Sequence, residues 1–147
     1  MNDNQFDFPC RFEKLDVTDG EKYRKYVHES NSDTIVHLAA ILSALGEKNP
    51  QKALDINIKS TMHAIYIAND HKCRLFYPSS IASFGGKFRK QMTPVDEAQH
   101  PQTVYGISKV FGEQLGAYYN RKYGLDFRGL RYPTVISSEK FNFSGSA

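Results

Sequence analysis

Short apolar segments alternate with longer amphipathic segments along most of this chain. The apolar segments predict strands at 11–17, 34–40, 74–80 and 126–132. The amphipathic segments repeat apolar residues every three or four positions and predict helices at 18–30, 50–71 and 104–123. Strands that alternate with helices in this order indicate βαβ units and an α/β fold around a parallel sheet.

Residues at the boundaries of these helices support the assignment. Thr18 or Asp19 can cap the first helix. Pro50 suits the first turn of the second helix, and Gly124 suits the position just after the third. The strand at 34–40 is nearly continuous in apolar residues, which predicts burial on both of its faces. The remaining long stretches are predicted loops, at 41–49 and 81–103.

The composition excludes several classes of protein. The chain has 147 residues, 40% of them apolar, and a net charge of +3, which suits one domain with a core. No apolar run reaches about 20 residues, the length that a membrane span needs, and neither a signal peptide nor a basic tract is visible. Cys10 and Cys73 are far apart and lack a CxxC spacing, so we expect no disulfide framework, no thiolate metal site and a reducing compartment.

Two side chains at the start of the third predicted helix can carry acid–base chemistry. Tyr105 and Lys109 are four residues apart, so both lie on one face of the helix. A lysine ammonium beside a phenol lowers the pKa of the phenol, which lets the tyrosine act as a general base near neutral pH. The same spacing is also common on the surface of an amphipathic helix, where it has no catalytic meaning.

Hydroxyl groups at the end of the predicted strand 74–80 favour the catalytic interpretation. Ser79 and Ser80 lie at the carboxyl edge of the sheet, where open α/β sheets bind ligands. A single loop separates Ser80 from Tyr105, so the Ser80 hydroxyl can bind the same substrate oxygen as Tyr105. Alternatively, a serine at a strand end only satisfies backbone groups of the loop that follows.

Three motifs resemble the extended short-chain dehydrogenase/reductase family. They are PSSIASFG at 78–85, YGISK at 105–109 and RYP at 131–133. A closer resemblance, to the epimerase-like L-threonine 3-dehydrogenases of that family, rests on HLAAILSALGEKNP at 37–50, INIKST at 56–61 and YGLDFRGLRYP at 123–133. The resemblance implies a partial Rossmann-like, doubly wound parallel sheet that binds NAD.

The resemblance also implies a reaction and three catalytic roles. The reaction is the oxidation of the C3 hydroxyl of L-threonine to 2-amino-3-ketobutyrate, a step of threonine catabolism. Tyr105 is expected to be the acid/base, Lys109 to lower the pKa of Tyr105 and bind the nicotinamide ribose, and Ser80 to orient the substrate hydroxyl. A sugar-nucleotide epimerase or dehydratase shares these residues, and a non-catalytic relative is a third reading. The short segment 37–50 favours a small amino acid as substrate.

Further binding residues follow from the same resemblance. Besides Tyr105 and Lys109, those expected to bind NAD are Asp16, Val17, Leu38, Ala39, Ala40, Asn57 and Val135. Besides Ser80 and Tyr105, those expected to lie near the substrate are Ser43 and Gly46. Asn57 is expected to support the active-site lysine, or else to face solvent. Asp16 can instead be a turn residue, and Ala39 and Ala40 can be small for packing alone.

One family feature is missing from the sequence. The chain contains no GxGxxG motif, which seats a dinucleotide pyrophosphate at a helix N-terminus. We therefore expect residues 1–147 to be part of an NAD(P)-binding domain, without its first strand–turn–helix unit and without a C-terminal substrate region. The strand at 11–17 is then expected to lie apart from the strand at 34–40, because the strands between them are not encoded.

The resemblance finally implies a partner and a location. The partner is a second copy of the full-length protein, with a homodimer interface formed by the helices 50–71 and 104–123, unless both faces of these helices are covered within one monomer. Gly112 and Gly116 are expected to let another backbone come close there. We expect no metal, nucleic acid or membrane partner. The expected location is mitochondrial in an animal and cytoplasmic otherwise.

Overall fold

The computed structural model describes residues 12–86 and 91–133. In chain order, the helices and strands of these residues are α1 Gly20–Ser30, β1 Thr34–Val36, α2 Ser43–Lys48, α3 Pro50–His71, β2 Arg74–Ser80, α4 Val104–Tyr123 and β3 Phe127–Tyr132, with a 3₁₀ turn at Ile81–Ser83. The described strands form a parallel sheet in the order β1–β2–β3. The predicted α/β fold around a parallel sheet is thus confirmed.

The main helices begin and end where their free backbone groups are satisfied. Asp19, Asn49 and Thr103 precede α1, α3 and α4, and each side chain accepts a hydrogen bond from the N–H three residues further on. Gly124 ends α4 with a φ of 73°, a left-handed conformation that glycine adopts without steric penalty. The predicted helices 50–71 and 104–123 match α3 and α4.

The stretch 41–49, which was predicted to be a loop, contains α2. Its six residues are too few for a helical repeat of apolar positions to be visible in the sequence. Gly46 of α2 is buried against α3, where an added Cβ would lie 3.4 Å from the Cβ of Ala53. Tertiary packing therefore accounts for this helix better than its own sequence pattern does.

The core lies between the sheet and the two long helices. Alternate residues of β2 are buried, namely Leu75, Tyr77 and Ser79. Leu75 packs in a cluster with apolar residues of β1 and α3, which include Ile35, Ala64, Ile65, Ile67 and Ala68. On the other face of the sheet, Leu130 is 54% exposed and Tyr132 is 40% exposed. Within the described ranges, the long helices thus cover one face of the sheet.

Two glycines of α4 pack against the sheet. An added Cβ would lie 2.3 Å from the Tyr77 ring at Gly112 and 2.3 Å from the Phe127 ring at Gly116. The interpretation that these glycines let another backbone approach is wrong, because aromatic side chains of the same chain fill the space. The homodimer itself stays a prediction.

The strand β1 is shorter and more exposed than the predicted strand 34–40. Regular pairing ends at Val36, and the N–H of His37 adds one hydrogen bond to the Phe76 carbonyl at 3.0 Å. The side chain of His37 is buried, whereas Val36 is 54% exposed and Leu38 is 73% exposed. The prediction of burial on both faces is wrong, because α3 covers one face of β1 and the described residues leave the other open.

Residues 12–17 form no strand, so the prediction of a strand at 11–17 is wrong for the described residues. Leu15 and Val17 pack against the core, but Phe12 is 70% exposed. A strand needs a neighbour for its N–H and C=O groups, and the described sheet ends at β1 and β3 without pairing to this segment. The segment also forms no ladder with β1, as the missing strands predict.

Three further features bear on the expected class of protein. Cys73 is a buried free thiol that donates to the Ser32 carbonyl at 3.0 Å, while Cys10 lies outside the described residues. No helix in the described part of the chain is long and apolar enough to cross a membrane. Residues 12–86 and 91–133 contain no group of three or more His, Cys, Asp or Glu that could hold a metal ion.

Candidate active site

The structure brings Ser80, Tyr105 and Lys109 together at the carboxyl edge of the sheet. Ser80 is the last residue of β2, and its hydroxyl is hydrogen-bonded to the Tyr105 side chain while it accepts from the Ala82 N–H at 3.2 Å. Tyr105 lies in the first turn of α4, which Thr103 caps. The Lys109 Nζ lies 5.2 Å from the centroid of the Tyr105 ring. The predicted convergence of these three side chains is therefore present in the structure.

Lys109 is buried, and its ammonium is anchored to the end of β2. The Nζ donates to the Pro78 carbonyl at 2.6 Å and lies 4.8 Å from the centroid of the Tyr77 ring. Burial lowers the pKa of Lys109 to about 8, while the nearby Glu113 carboxylate acts to raise it. An ammonium has three N–H donors, so Lys109 can bind Pro78 and still donate to hydroxyl groups of a ligand.

The expectation that Lys109 lowers the pKa of Tyr105 is not met in this structure. Burial raises the pKa of the Tyr105 phenol, and the hydrogen bond with Ser80 only partly opposes it. The physical reason is the position of the ammonium, which the Pro78 carbonyl holds over the face of the Tyr105 ring. The sequence predicts the contact between the Ser80 and Tyr105 hydroxyl groups, but it does not predict that the Tyr105 pKa is raised.

Asn57 of α3 connects the end of β1 to the start of α4. Its Oδ1 accepts from the Ile41 N–H at 2.7 Å, and its Nδ2 donates to the Ile41 carbonyl at 3.0 Å. The same Nδ2 donates to Ser108 Oγ at 3.2 Å, and Ser108 Oγ donates to the Tyr105 carbonyl at 2.7 Å. Asn57 is 3% exposed, so it does not face solvent. Its side chain ties the backbone after β1 to the turn that carries Tyr105 and Lys109.

The other predicted cofactor residues near β1 follow this strand at the carboxyl edge. Leu38 is largely exposed, and Ala39 and Ala40 are half-buried. Asn57 holds the chain directly after them through Ile41. Their contact with NAD stays a prediction.

The predicted substrate residues lie in α2, which is fixed beside the start of α4. Ser43 is the first residue of α2, and Gly46 faces α3. The Oε1 atom of Glu47 accepts from the Val104 N–H at 2.8 Å, next to Tyr105 in the chain. This hydrogen bond brings α2 close to Tyr105, but the packing of Gly46 against Ala53 already explains why that residue is small.

Asp16 and Val17 lie at the entrance to α1. Asp16 Oδ1 accepts from the Thr18 N–H at 2.9 Å and from the Thr18 hydroxyl at 2.8 Å, which makes Asp16 a turn residue. The Val17 carbonyl oxygen lies 3.1 Å from Nδ1 of His63. These contacts account for both residues without a cofactor, and their NAD contacts stay predictions. The predicted contact at Val135 lies outside the described residues.

A partly buried ion pair lies beside the triad, and the sequence analysis does not predict it. Glu113 of α4 pairs with Arg131 of β3 at 2.7 Å, and the side chains are 14% and 23% exposed. The Glu113 carboxylate also accepts from the Ser79 hydroxyl and from Gln99 Nε2. The sequence did contain a signal for Glu113, which extends the four-residue spacing of Tyr105 and Lys109 by one more step, but none for its pairing with Arg131. A cavity of about 350 Å³ adjoins the pair, lined by Ser79, Val95, Glu113, Phe127, Gly129, Leu130 and Arg131.

With this geometry in place, comparison with known proteins identifies the family. The profile of the NAD dependent epimerase/dehydratase family matches residues 2–146. The chain therefore belongs to the NAD-dependent epimerase/dehydratase family, and its fold is a partial Rossmann-like one.

Particular relatives narrow the resemblance. An uncharacterized epimerase/dehydratase of Staphylococcus haemolyticus is 44% identical over 129 residues, which are 88% of this chain and 41% of that protein. The structure of L-threonine dehydrogenase from Clostridium difficile is 45% identical with a TM-score of 0.83, over 86% of this chain and 40% of the other. The structure of UDP-glucose 4-epimerase from Brucella ovis in complex with NAD is 25% identical with a TM-score of 0.75, over 82% and 38%. The chain thus spans about two-fifths of the length of each.

Proposed function

We propose that this chain is part of an NAD-dependent oxidoreductase that oxidises the C3 hydroxyl of L-threonine to give 2-amino-3-ketobutyrate. The observation that carries the proposal is the meeting of Ser80, Tyr105 and Lys109 at the carboxyl edge of the sheet. The 45% identity with the Clostridium difficile L-threonine dehydrogenase, against 25% with the Brucella ovis epimerase, favours threonine over a sugar nucleotide.

Tyr105 is the proposed general base. Its phenolate oxygen takes the proton of the substrate hydroxyl, and the Ser80 hydroxyl binds the same substrate oxygen and holds it in reach. Bound NAD supplies the acceptor for the hydride that leaves C3. Burial raises the pKa of Tyr105, so the phenolate forms only at alkaline pH. Proton removal from the substrate is therefore expected to become easier as pH rises. Lys109 lies over the ring with donors left for a ligand, and its role in this proposal is to bind ribose hydroxyls and not to lower the Tyr105 pKa.

The described residues fit one end of NAD. Lys109 holds an ammonium with free donor capacity at the sheet edge, which suits ribose hydroxyls. The exposed Leu38 offers an apolar surface at the end of β1, which suits a flat ring. The remaining residues of the proposed cofactor site are Asp16, Val17, Ala39, Ala40, Asn57 and Val135. No Gly-rich turn in this sequence fits the pyrophosphate, so the rest of the cofactor site is proposed to come from outside these 147 residues.

Ser43 and Gly46 are the proposed neighbours of the amino-acid substrate. Their helix α2 is fixed to the start of α4 by the hydrogen bond between Glu47 and the Val104 N–H.

A homodimer through the outer faces of α3 and α4 is part of the same proposal. The partial exposure of Tyr118 and Tyr123 on α4 supports an interface there, and sedimentation at micromolar concentrations tests it.

A sugar-nucleotide epimerase or dehydratase is the second candidate. The family description and the likeness to the Brucella ovis UDP-glucose 4-epimerase favour it, because that structure shares the fold at a TM-score of 0.75. The two candidates share the acid–base residues and differ in the substrate that the surrounding chain accepts.

A grafted enzyme tests the proposal. In this grafted enzyme, residues 12–133 replace the matching residues of the Clostridium difficile L-threonine dehydrogenase. We expect NADH formation with NAD and L-threonine from the grafted enzyme and none from the 147-residue chain alone, because a hydride acceptor must be held about 3–3.5 Å from the reacting carbon.

Two outcomes count against the proposal. A folded grafted enzyme without threonine-dependent NADH formation contradicts the threonine function, and turnover of UDP-glucose by the same protein supports the second candidate. Threonine-dependent NADH formation by the 147-residue chain contradicts the claim that the pyrophosphate site lies outside it.

A further inference from the structure

Glu113 lies on the same face of α4 as Tyr105 and Lys109. The three residues are spaced at four-residue intervals, so each side chain stands one helical turn from the next. The proposed chemistry uses Tyr105 and Lys109 and assigns nothing to Glu113. The partly buried Glu113 carboxylate nevertheless acts on the buried ammonium one turn away, because little water lies near either group to screen the two charges.

Hydrogen bonds from neighbouring elements hold the Glu113 carboxylate in its ionised form. Arg131 of β3 donates from Nε to Oε1 at 3.1 Å and from Nη2 to Oε2 at 2.7 Å, Ser79 of β2 donates from its hydroxyl, and Gln99 donates at 2.8 Å. These donors outweigh burial and lower the pKa of Glu113. The negative charge is therefore fixed in place at neutral pH.

The same ion pair holds the segment that leads into α4. Arg131 Nη1 donates to the Val95 carbonyl at 2.8 Å, and the guanidinium lies 4.7 Å from the centroid of the Phe84 ring. Gln99 reaches Glu113 from the same segment. Residues 95–99 are thus joined to both β3 and α4 a few residues before Tyr105.

We propose that Glu113, whose carboxylate is held by Arg131, is a positioning residue that keeps the Lys109 ammonium charged beside Tyr105. This inference rests on the proposed function, since it assigns Glu113 a role in the same site. Glu113 touches neither substrate nor cofactor in this role and acts through Lys109.

The other groups that face Lys109 do not supply this charge. Burial lowers the pKa of His37, after β1, to about 4, so His37 is neutral at pH 7. Burial raises the pKa of Tyr77 on β2 and of Tyr105 on α4, so both phenols are neutral there. Arg131 on β3 is positive and is paired with Glu113. Among the described residues, the Glu113 carboxylate is hence the anion that opposes the effect of burial on Lys109.

Titration of Lys109 tests the inference directly. The grafted enzyme is labelled with ¹³C at lysine Cε, and the Lys109 signal is assigned by its loss in Lys109→Arg. In Glu113→Gln we expect the Lys109 pKa to fall by about one unit, the lower end of the effect of a nearby opposite charge. Asp70→Asn, which removes an exposed carboxylate paired with Arg24, is the matched control and leaves the Lys109 titration unchanged.

Kinetics provide the second readout. If Lys109 must be cationic, the alkaline fall of kcat/KM moves about one pH unit lower in Glu113→Gln, which lowers kcat/KM about tenfold on that limb. Glu113→Asp, which keeps the charge, moves the limb back toward its original position. A variant that is only less stable has a lower melting temperature, but its Lys109 pKa and the alkaline fall of its kcat/KM are unchanged.

The double variant Glu113→Gln/Arg131→Gln keeps the test valid if the single variant does not fold. It removes both charges and keeps amide groups that can hydrogen-bond, so no unpaired charge stays buried. An unchanged Lys109 titration in Glu113→Gln, or in the double variant compared with Arg131→Gln alone, overturns the inference, and a lowered one supports it. Absence of threonine activity in the unsubstituted grafted enzyme contradicts the proposed function instead, and the titration still decides the role of Glu113.

Discussion

The Lys109 ammonium donates a 2.6 Å hydrogen bond to the carbonyl oxygen of Pro78 and thereby links α4 to the last residues of β2. Ser80 lies two residues beyond Pro78, and Tyr105 lies one turn before Lys109. This contact is one of those that join the strand and the helix that carry the proposed acid–base groups. It also explains why the ammonium lies over the Tyr105 ring instead of beside its hydroxyl.

Tyr105→Phe is expected to abolish threonine-dependent NADH formation in the grafted enzyme. The ring and its packing remain, and only the group that takes the substrate proton is lost. NAD affinity, measured by fluorescence titration, is expected to change less than about threefold, well under 1 kcal/mol. Tyr118→Phe, a partly exposed tyrosine further along α4, is the matched control and keeps full activity. Full activity of Tyr105→Phe contradicts the proposed mechanism.

Lys109 makes stability depend on pH in a predictable direction. Its pKa is about 8 in the folded chain against 10.5 for an ordinary lysine, so the unfolded chain binds more protons between these values. Stability therefore rises with pH from about 8 to 10.5 by the linkage between proton binding and folding. In Lys109→Met we expect the melting temperature not to rise over this pH range. Thermal unfolding of both proteins at several pH values measures the difference. An equal rise in both proteins means that Lys109 does not cause it.

Local signals in the sequence were sufficient for the long elements. Pro50, Thr103 and Gly124 mark ends of α3 and α4, and the apolar run around Leu75 marks β2, so these elements were predicted within a residue. Features that depend on residues distant in the chain could not be predicted from these local signals. Whether residues 12–17 form a strand depends on a pairing partner, and local sequence carries no information about that partner.

The candidate site shows the same division. The spacing of Ser80, Tyr105 and Lys109 predicted their convergence, because a strand end and a helix start meet at one edge of a parallel sheet. The direction of the Tyr105 pKa shift was wrong, because burial is a property of the whole fold. The Glu113–Arg131 pair joins residues that are 18 apart in the chain, and no local pattern couples them.

Asn57→Ala is expected to destabilise the fold and to slow the reaction. The substitution leaves the partly buried N–H and carbonyl groups of Ile41 without their partners, and an unmet group that is fully buried costs about 1–3 kcal/mol. Urea unfolding of the grafted enzyme is expected to show a loss of about 1–3 kcal/mol, because both groups are only partly buried. Asp55→Ala, at an exposed position of the same helix, is expected to change stability by less than about 0.5 kcal/mol. An equal effect of the two substitutions contradicts the clamp between α3 and the end of β1.

Gly112→Ala tests whether α4 is held against the sheet by close packing within one chain. The added methyl would lie 2.3 Å from the Tyr77 ring, and that ring is buried, with its hydroxyl hydrogen-bonded to the Ser108 carbonyl. Overpacking of this kind typically costs about 1–3 kcal/mol, and here it also pushes α4, with Lys109, away from β2. We therefore expect lower stability in urea unfolding together with a lower kcat, whereas Gly129→Ala, where the nearest atom is 3.4 Å away, is the milder control for stability. Tyr77→Leu combined with Gly112→Ala is expected to recover part of the lost stability, since the smaller side chain makes room for the methyl. If Gly112→Ala instead leaves stability unchanged and dissociates a dimer, Gly112 faces a second chain and its assignment to the intramolecular core is wrong.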